Sequence, residues 1–119
     1  MSCLFISCGK HLHVDPRKLR TQVVKVIREL PHLPISDKPL SWWIDQTGQD
    51  INTYANNMDK SSTFGTGIEL SIIAILYRRT IQVVRGGVIT AQFFEEFGNP
   101  FQIYFTGNPA SGHFEPNIK

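Results

Sequence analysis

The chain has 119 residues, of which 41% are apolar and 18% are charged, and its formal net charge is +2. Such a composition is typical of one folded soluble domain, here residues 1–119, and excludes a disordered chain. A charge this close to neutral, without a stripe of Lys and Arg, argues against a protein that binds nucleic acid.

The positions of the cysteine, histidine and apolar residues further restrict the class of protein. Cys3 and Cys8 are too close in sequence to form a ready disulfide, so free thiols and a reducing compartment, cytoplasmic or nuclear, are expected. The first ten residues lack the basic start of a signal peptide, and the longest apolar stretch, 71–77, is far shorter than the ~20 residues of a membrane span. No histidine combines with a Cys-x-x-Cys pattern, so we expect no membrane segment, no metal and no other cofactor.

The first two thirds of the chain is predicted to be helical. Asp15 and Pro16 form a start signal, an N-cap residue followed by proline at the first helical position. From Leu19 to Leu30 apolar residues recur at helical spacing, and the prolines at positions 31, 34 and 39 then predict a stiff connector. Helices are predicted over 3–12, 16–30, 40–58 (as one or two helices) and 68–77, with a polar loop over 60–67.

Near residue 80 the spacing of the apolar residues changes from that of a helix to that of a strand. Residues 80–84 predict a strand, Arg85-Gly86-Gly87 a tight turn suited to positive φ, and Val88 begins a returning segment. Residues 101–105 predict another strand, and a Gly-containing loop then leads to His113 and a last strand. Helices first and a small, mainly antiparallel sheet last predict an α+β fold with the helices packed on the sheet.

Cys3 and His113 are the residues that most suggest chemistry. A helix N-terminus and a nearby imidazole both favour the thiolate that a nucleophilic cysteine needs. His113 stands between a Gly-containing loop and a strand that would hold a general base rigidly. The two residues need only be neighbours in the fold, so the pattern favours a cysteine hydrolase. A small buried hydrophobe is the alternative for Cys3, and it is the interpretation we adopt for Cys8.

Glu115 lies two residues after His113, on the same face of the predicted strand. A carboxylate there would hold the imidazole in one tautomer and stabilise its protonated form, which is the orienting role in a catalytic triad. A charged residue at a strand edge explains Glu115 about equally well. Asn117 is the second candidate for the orienting role.

Three blocks of the sequence can be compared with known motifs. In chain order they are Cys3-Leu4-Phe5, the segment 62–70, and Gly112-His113-Phe114-Glu115. Together they resemble the ovarian-tumour (OTU) family of deubiquitinases, which are papain-like cysteine proteases. The first block is similar to the end of the family's Asp-Gly-Asn-Cys-Leu-Phe motif. The second is similar to its central Trp-Gly…Glu-Leu motif, with Phe64 in place of Trp, and the third to its closing His-aromatic motif. The resemblance spans nearly the whole chain.

Two departures from the family's motifs affect the site. Only Met1 and Ser2 precede Cys3, so the Asp-Gly-Asn that helps to build the family's oxyanion hole is absent from this sequence. Either the sequence begins after part of that loop or the protein has a reduced site. Glu115 also stands where the family usually has Asp or Asn, which leaves the identity of the third catalytic residue open between Glu115 and Asn117.

The resemblance implies a papain-like OTU fold that hydrolyses the isopeptide bond at the C-terminus of ubiquitin or a ubiquitin-like modifier. The implied catalytic residues are Cys3, His113 and Glu115, and the implied substrate contacts are Phe64, Gly65, Thr66 and Phe114. Glu69, at a helix start, is interpreted as structural, because a carboxylate there is favoured by the helix dipole.

Two other functions remain open at this stage. The first is a catalytically impaired OTU-like domain that binds ubiquitin without cleaving it, which the missing Asp-Gly-Asn and Glu115 both favour. The second is an interaction domain of a larger protein with no role in ubiquitin binding. It is the less favoured of the two because it leaves the cysteine and histidine blocks unexplained.

Overall fold

The computed structural model describes residues 3–107 and 112–116, with Cys3 described by its backbone alone. Its architecture is α+β, as predicted. The helices are α1 (Cys3–Leu12), α2 (Pro16–Glu29), α3 (Leu40–Asp45), α4 (Ile51–Met58) and α5 (Gly67–Tyr77), and a 3-10 turn covers Glu95–Phe97. The strands are β1 (Pro34–Ile35), β2 (Lys38–Pro39), β3 (Ile81–Arg85), β4 (Val88–Phe93), β5 (Phe101–Thr106) and β6 (His113–Glu115).

The helices begin where side chains satisfy their free backbone N–H groups. The Asp15 carboxylate accepts hydrogen bonds from the N–H groups of Arg17 and Lys18, and Pro16 is the first helical residue of α2. Asp50 accepts from Thr53 N–H in the same way at the start of α4. The range predicted as one or two helices is therefore two, α3 and α4, separated by a turn.

The proline-containing connector after α2 is more ordered than the sequence predicts. Pro34–Ile35 and Lys38–Pro39 form a short antiparallel ribbon, and Ser36 takes a left-handed conformation (φ 56°) at its turn. The prolines stand at the open end of the ribbon, where the fixed φ of proline suits an extended chain and its missing N–H is tolerated.

The main sheet has the strand order β4-β3-β5-β6. The predicted hairpin joins β3 to β4, and Gly86 and Gly87 supply its positive φ angles, 59° and 78°. β5 pairs with β3 in parallel and with β6 antiparallel, so the sheet is mixed, with two of its three pairings antiparallel. The parallel pair forms because the chain returns to the start of β3 before β5 begins, where the N–H of Phe101 donates to the Thr80 carbonyl at 3.0 Å.

The core lies between the helices and one face of this sheet. Alternate residues of β3 and β5 face it, and the middle of the mostly apolar helix α5, residues 69–74, is buried among the other elements. α1 packs against α2 and against β5 and β6, so it borders the strand that carries His113. Within the described residues, no helix is both long and apolar enough to span a bilayer.

Candidate active site

The register between β5 and β6 places His113 and Glu115 on one face of the sheet. Thr106 is opposite His113 and Tyr104 is opposite Glu115, and residues paired across antiparallel strands point to the same side. The intervening Phe114 points to the other side. It meets Phe105 edge to face, with ring centroids 5.0 Å apart, and packs against the core.

The His113 imidazole is engaged through one ring nitrogen. Its Nε2 lies 3.2 Å from Oε2 of Glu115 and 3.3 Å from Oγ1 of Thr106. The Glu115 side chain is only 20% exposed, whereas that of His113 is 52% exposed. Among the described residues, both side-chain partners of His113 contact its Nε2 and not its Nδ1.

Cys3 opens α1, as the sequence predicts, but its side chain lies outside the described residues. The Cys3–His113 contact therefore stays a prediction. Asn117 also lies outside the described residues. Cys8, five residues after Cys3 in α1, is fully buried in the core, in agreement with its interpretation as a small hydrophobe.

The predicted substrate segment, 64–66, lies against the start of α1. A Cβ on Gly65 would come within 2.9 Å of Leu4 Cδ1, so glycine permits this close approach to the residue that follows Cys3. Phe64 beside it is 58% exposed. The segment thus borders the N-terminal end of α1 and leaves one aromatic ring accessible.

Thr66 and Glu69 form a capping box at the start of α5. Thr66 Oγ1 accepts from Ile68 N–H, and the Glu69 carboxylate accepts from the Thr66 backbone N–H at 2.7 Å. The Thr66 hydroxyl and the Tyr54 hydroxyl each donate to Glu69 as well, both at 2.7 Å. Glu69 is fully buried and has a structural role, as expected, and the hydroxyl of Thr66 is committed to the same network.

This network leads to a prediction about stability and pH. Burial raises the pKa of the Glu69 carboxyl, opposed by hydrogen bonds from Thr66 and Tyr54. Between the ordinary value of 4.5 and the raised folded pKa, the folded state keeps a proton that the unfolded chain has lost, so this group's contribution to stability falls as pH rises. Glu69→Gln cannot ionise and should lose this slope in urea unfolding measured from pH 4 to pH 8.

Glu69→Ala is the companion variant, because it removes the acceptor for three donors. We expect it to lower the free energy of unfolding by about 2–4 kcal/mol throughout that range. A Glu69→Gln protein with the same pH slope as wild type would contradict the assignment of the slope to Glu69.

Arg20 is an internal support that the sequence did not predict. Arg20 is only 6% exposed, and its guanidinium donates to the carbonyls of Met58 at 2.7 Å and Thr63 at 3.0 Å. It also lies 4.4 Å from the ring centroid of Phe5, two residues after Cys3. Arg20 therefore ties the loop that carries the predicted substrate contacts to the helix that carries Cys3.

A separate cleft of about 470 Å³ lies between the β1–β2 ribbon, the start of α5 and β4. Thr66, Trp43 and Phe93 line part of it. Because β4 is the edge of the sheet opposite β6, this cleft is distinct from the His113–Glu115 pair. Among the described residues, no group of three or more His, Cys, Asp or Glu side chains is arranged to hold a metal ion.

No protein-family model and no curated protein matches the sequence. Among solved structures, the fold is similar to that of an ovarian tumor (OTU) domain in complex with ubiquitin, with a TM-score of 0.71 and 25% identity. That similarity covers 94% of this chain and 60% of the other, so the chain spans three fifths of its length.

The OTU domain of OTUD1 is similar as well, with a TM-score of 0.60 and 16% identity over 94% of this chain and 75% of that one. The two similarities agree on the fold.

Proposed function

We propose, on the premise that this chain is an OTU domain, that it hydrolyses the isopeptide bond at the C-terminus of ubiquitin or a ubiquitin-like modifier. Cys3 is the nucleophile, His113 the general base and Glu115 the residue that orients His113. The observation that supports this proposal most is the contact of His113 Nε2 with Glu115 on a strand that packs against α1.

The chemistry proceeds through a thioester. The Cys3 thiol gives its proton to Nδ1 of His113, and the thiolate attacks the carbonyl carbon of the C-terminal glycine. The C–N bond then breaks, and protonated His113 gives the proton to the departing lysine amine. Water, deprotonated by His113, attacks the thioester and releases the free carboxylate and the Cys3 thiol. No cofactor takes part in these steps.

Two electrostatic interactions stabilise the charged groups that form during these reaction steps. The N-terminus of α1 stabilises the Cys3 thiolate and, through the backbone N–H groups there, the oxyanion, each donor being worth ~3 kcal/mol. Glu115 stabilises the imidazolium that forms when His113 takes the proton, since their side chains lie 3.2 Å apart.

The arrangement of α1 and β6 supports the pairing of Cys3 with His113. At the C-terminal end of α1, His11 Nε2 lies 2.8 Å from the carbonyl oxygen of Pro116, directly after β6. Counting back from this contact, Cys3 is eight helical residues away, about 12 Å. His113 is three extended residues away, about 10 Å. These similar lengths support the proposal that the first residue of α1 lies near the start of β6.

Segment 64–66 is proposed to line the channel for the modifier's C-terminal tail. Phe114, the other substrate contact that the resemblance implies, instead packs against Phe105 and the core, on the face of β6 opposite His113. Phe64 offers its exposed ring, and Gly65 keeps the segment close to the start of α1. A tail that ends in glycines needs a narrow slot that admits no side chain. The free thiol that this chemistry requires is proposed to be maintained in the cytoplasm or the nucleus.

The proposal is tested by hydrolysis of ubiquitin joined through its C-terminus to the lysine of a peptide. We expect cleavage by the wild-type protein and a loss of about 10²–10⁴-fold in His113→Ala, the range that general acid–base catalysis supplies. His13→Ala is the matched control, because His13 is an exposed histidine at the other end of α1. A folded wild-type protein that cleaves no such conjugate would contradict the proposal.

Glu115 gives a second, finer prediction. Glu115→Ala should lower kcat at least about tenfold with little change in ubiquitin affinity, because Glu115 acts on the imidazolium and not on the substrate. Glu115→Asp should keep part of the rate, and Asn117→Ala should matter little in steady-state assays. If Asn117→Ala is the damaging change and Glu115→Ala is silent, the orienting role belongs to Asn117.

A domain that binds ubiquitin without cleaving it is the second candidate function. The glutamate two residues after His113, in place of the family's usual Asp or Asn, favours it. Titration of the chain with ubiquitin separates the possibilities when paired with the cleavage assay. Binding without cleavage selects this second function, and neither binding nor cleavage selects an interaction domain with no ubiquitin role.

A further inference from the structure

The last turn of α1 is fastened to the residue that follows β6. His11 Nε2 lies 2.8 Å from the carbonyl oxygen of Pro116, although the two residues are 105 positions apart. A carbonyl oxygen can only accept a hydrogen bond, so Nε2 carries the proton and donates it. The His11 ring also stacks on Phe101, with centroids 4.8 Å apart and planes 23° from parallel.

The Phe101 ring on which His11 stacks is held in place by contacts of its own. Phe101 is 5% exposed and opens β5, where its backbone N–H bonds to the Thr80 carbonyl. The Arg79 guanidinium lies 5.0 Å from the centroid of the Phe101 ring. His11 therefore joins three elements at one point: α1 through the backbone, β5 through the stacked ring and the end of β6 through the hydrogen bond.

We infer that His11 is a positioning residue for the Cys3–His113 pair, because its bond to Pro116 sets α1 against β6. This inference rests on the proposed function. α1 contributes Cys3, and β6 contributes both His113 and Glu115. β6 has only three residues and lies at an edge of the sheet, where β5 is its sole strand neighbour in the described sheet. The hydrogen bond from His11 to the Pro116 carbonyl links the end of this short strand to α1.

Small displacements at this place have large effects on rate. A misplacement of about 1 Å between reacting groups can cost on the order of 10²-fold in rate. Removal of the bond lets β6 shift relative to α1, which separates the thiol from the imidazole without touching the substrate. The expected signature is a lower kcat and a thiolate that forms at higher pH, with KM unchanged.

Three variants separate the hydrogen bond from the ring. His11→Phe keeps an aromatic ring to stack on Phe101 but removes the donor, and His11→Gln keeps an N–H donor without the ring. His13→Phe is the matched control on an exposed neighbouring histidine. Each variant is first checked for its fold by circular dichroism and thermal unfolding.

The readouts are the rate of alkylation by iodoacetamide as a function of pH, together with kcat and KM for a ubiquitin–peptide conjugate. Cys8 is fully buried, so alkylation of the folded protein reports on Cys3, and mass spectrometry of the digested product verifies the site.

We expect His11→Phe to lower kcat by about 3- to 10-fold, the range set by one hydrogen bond, and to shift the alkylation profile to higher pH. His11→Gln should recover most of both losses, and His13→Phe should behave as wild type. A folded His11→Phe protein with wild-type profiles overturns the inference, and so does a His11→Gln protein as impaired as His11→Phe. Loss of fold in both His11 variants also overturns it, because His11 would then be a core residue.

Failure of the proposed function gives a different result. If wild-type Cys3 alkylates with the pH profile of an ordinary thiol and no conjugate is cleaved, the catalytic pair itself is absent, whatever the His11 variants do.

Discussion

Cys3→Ser is expected to abolish hydrolysis of ubiquitin conjugates, with a loss of at least about 10⁴-fold in kcat. A serine hydroxyl does not ionise near neutral pH, and the environment proposed for Cys3 is suited to a thiolate and not to an alkoxide. The measurement is the initial rate of cleavage at saturating substrate. Full activity in Cys3→Ser protein would contradict the assignment of the nucleophile.

Cys8 supplies the internal control for this prediction. It is fully buried, and burial raises the pKa of its thiol, so it does not form a thiolate in the folded protein. Cys8→Ser should keep its rate per folded molecule, although a buried hydroxyl costs about 1–3 kcal/mol of stability. Cys8→Ala tests the same point without adding a polar group. Loss of rate in either folded Cys8 variant, with Cys3→Ser active, would reverse the assignment.

Arg20→Ala is expected to cause the largest loss of stability, about 3–5 kcal/mol in the free energy of unfolding. The guanidinium donates to the carbonyls of Met58 and Thr63, and its removal leaves both oxygens without that donor. The stack on Phe5 is lost as well. Urea unfolding at constant pH measures the change.

Two further variants locate the cause of this loss. Arg17→Ala is the matched control, because Arg17 is an exposed arginine on the same helix and should change stability by less than about 0.5 kcal/mol. Arg20→Lys keeps the charge but not the planar fork and should recover only part of the loss. A stability for Arg20→Ala within error of that for Arg17→Ala would show that the buried contacts of Arg20 contribute nothing.

The elements that were predicted from the sequence are those determined by local pattern. α2 begins at its Asp15-Pro16 signal, and the β3–β4 hairpin turns at Gly86-Gly87, because caps and positive-φ turns depend on a few adjacent residues. The parallel pairing of β3 with β5 was not predicted. It depends on where the chain goes between residues 93 and 101, which no local pattern determines.

Arg20 and His11, which contact the elements that carry the candidate site, were not predicted for a related reason. Arg20 adjoins the apolar stripe of α2, three residues before Val23, and this position was the available signal that its side chain is buried. Its partners lie in α4 and the following loop, about 40 residues away, so their identity could not be predicted. The contact of His11 could not be predicted either, because its partner Pro116 is distant in sequence.

Within the candidate site, the alternation of a strand predicted that His113 and Glu115 share a face, and their side chains are in contact. Thr106, the other neighbour of His113 Nε2, was not predicted, because it is brought there by the register of β5 with β6. Register is set by the loop between the strands and by which face is buried, as the Phe105–Phe114 pair illustrates here.

The most direct test of the central claim is reaction with ubiquitin that carries an electrophile in place of its C-terminal carboxylate. We predict one covalent adduct per chain, located at Cys3 by mass spectrometry, and no adduct in Cys3→Ser or His113→Ala protein within the same time. Cys8→Ala protein should react as wild type does. Wild-type protein that binds the probe without forming an adduct, or forms it at Cys8, would contradict the account.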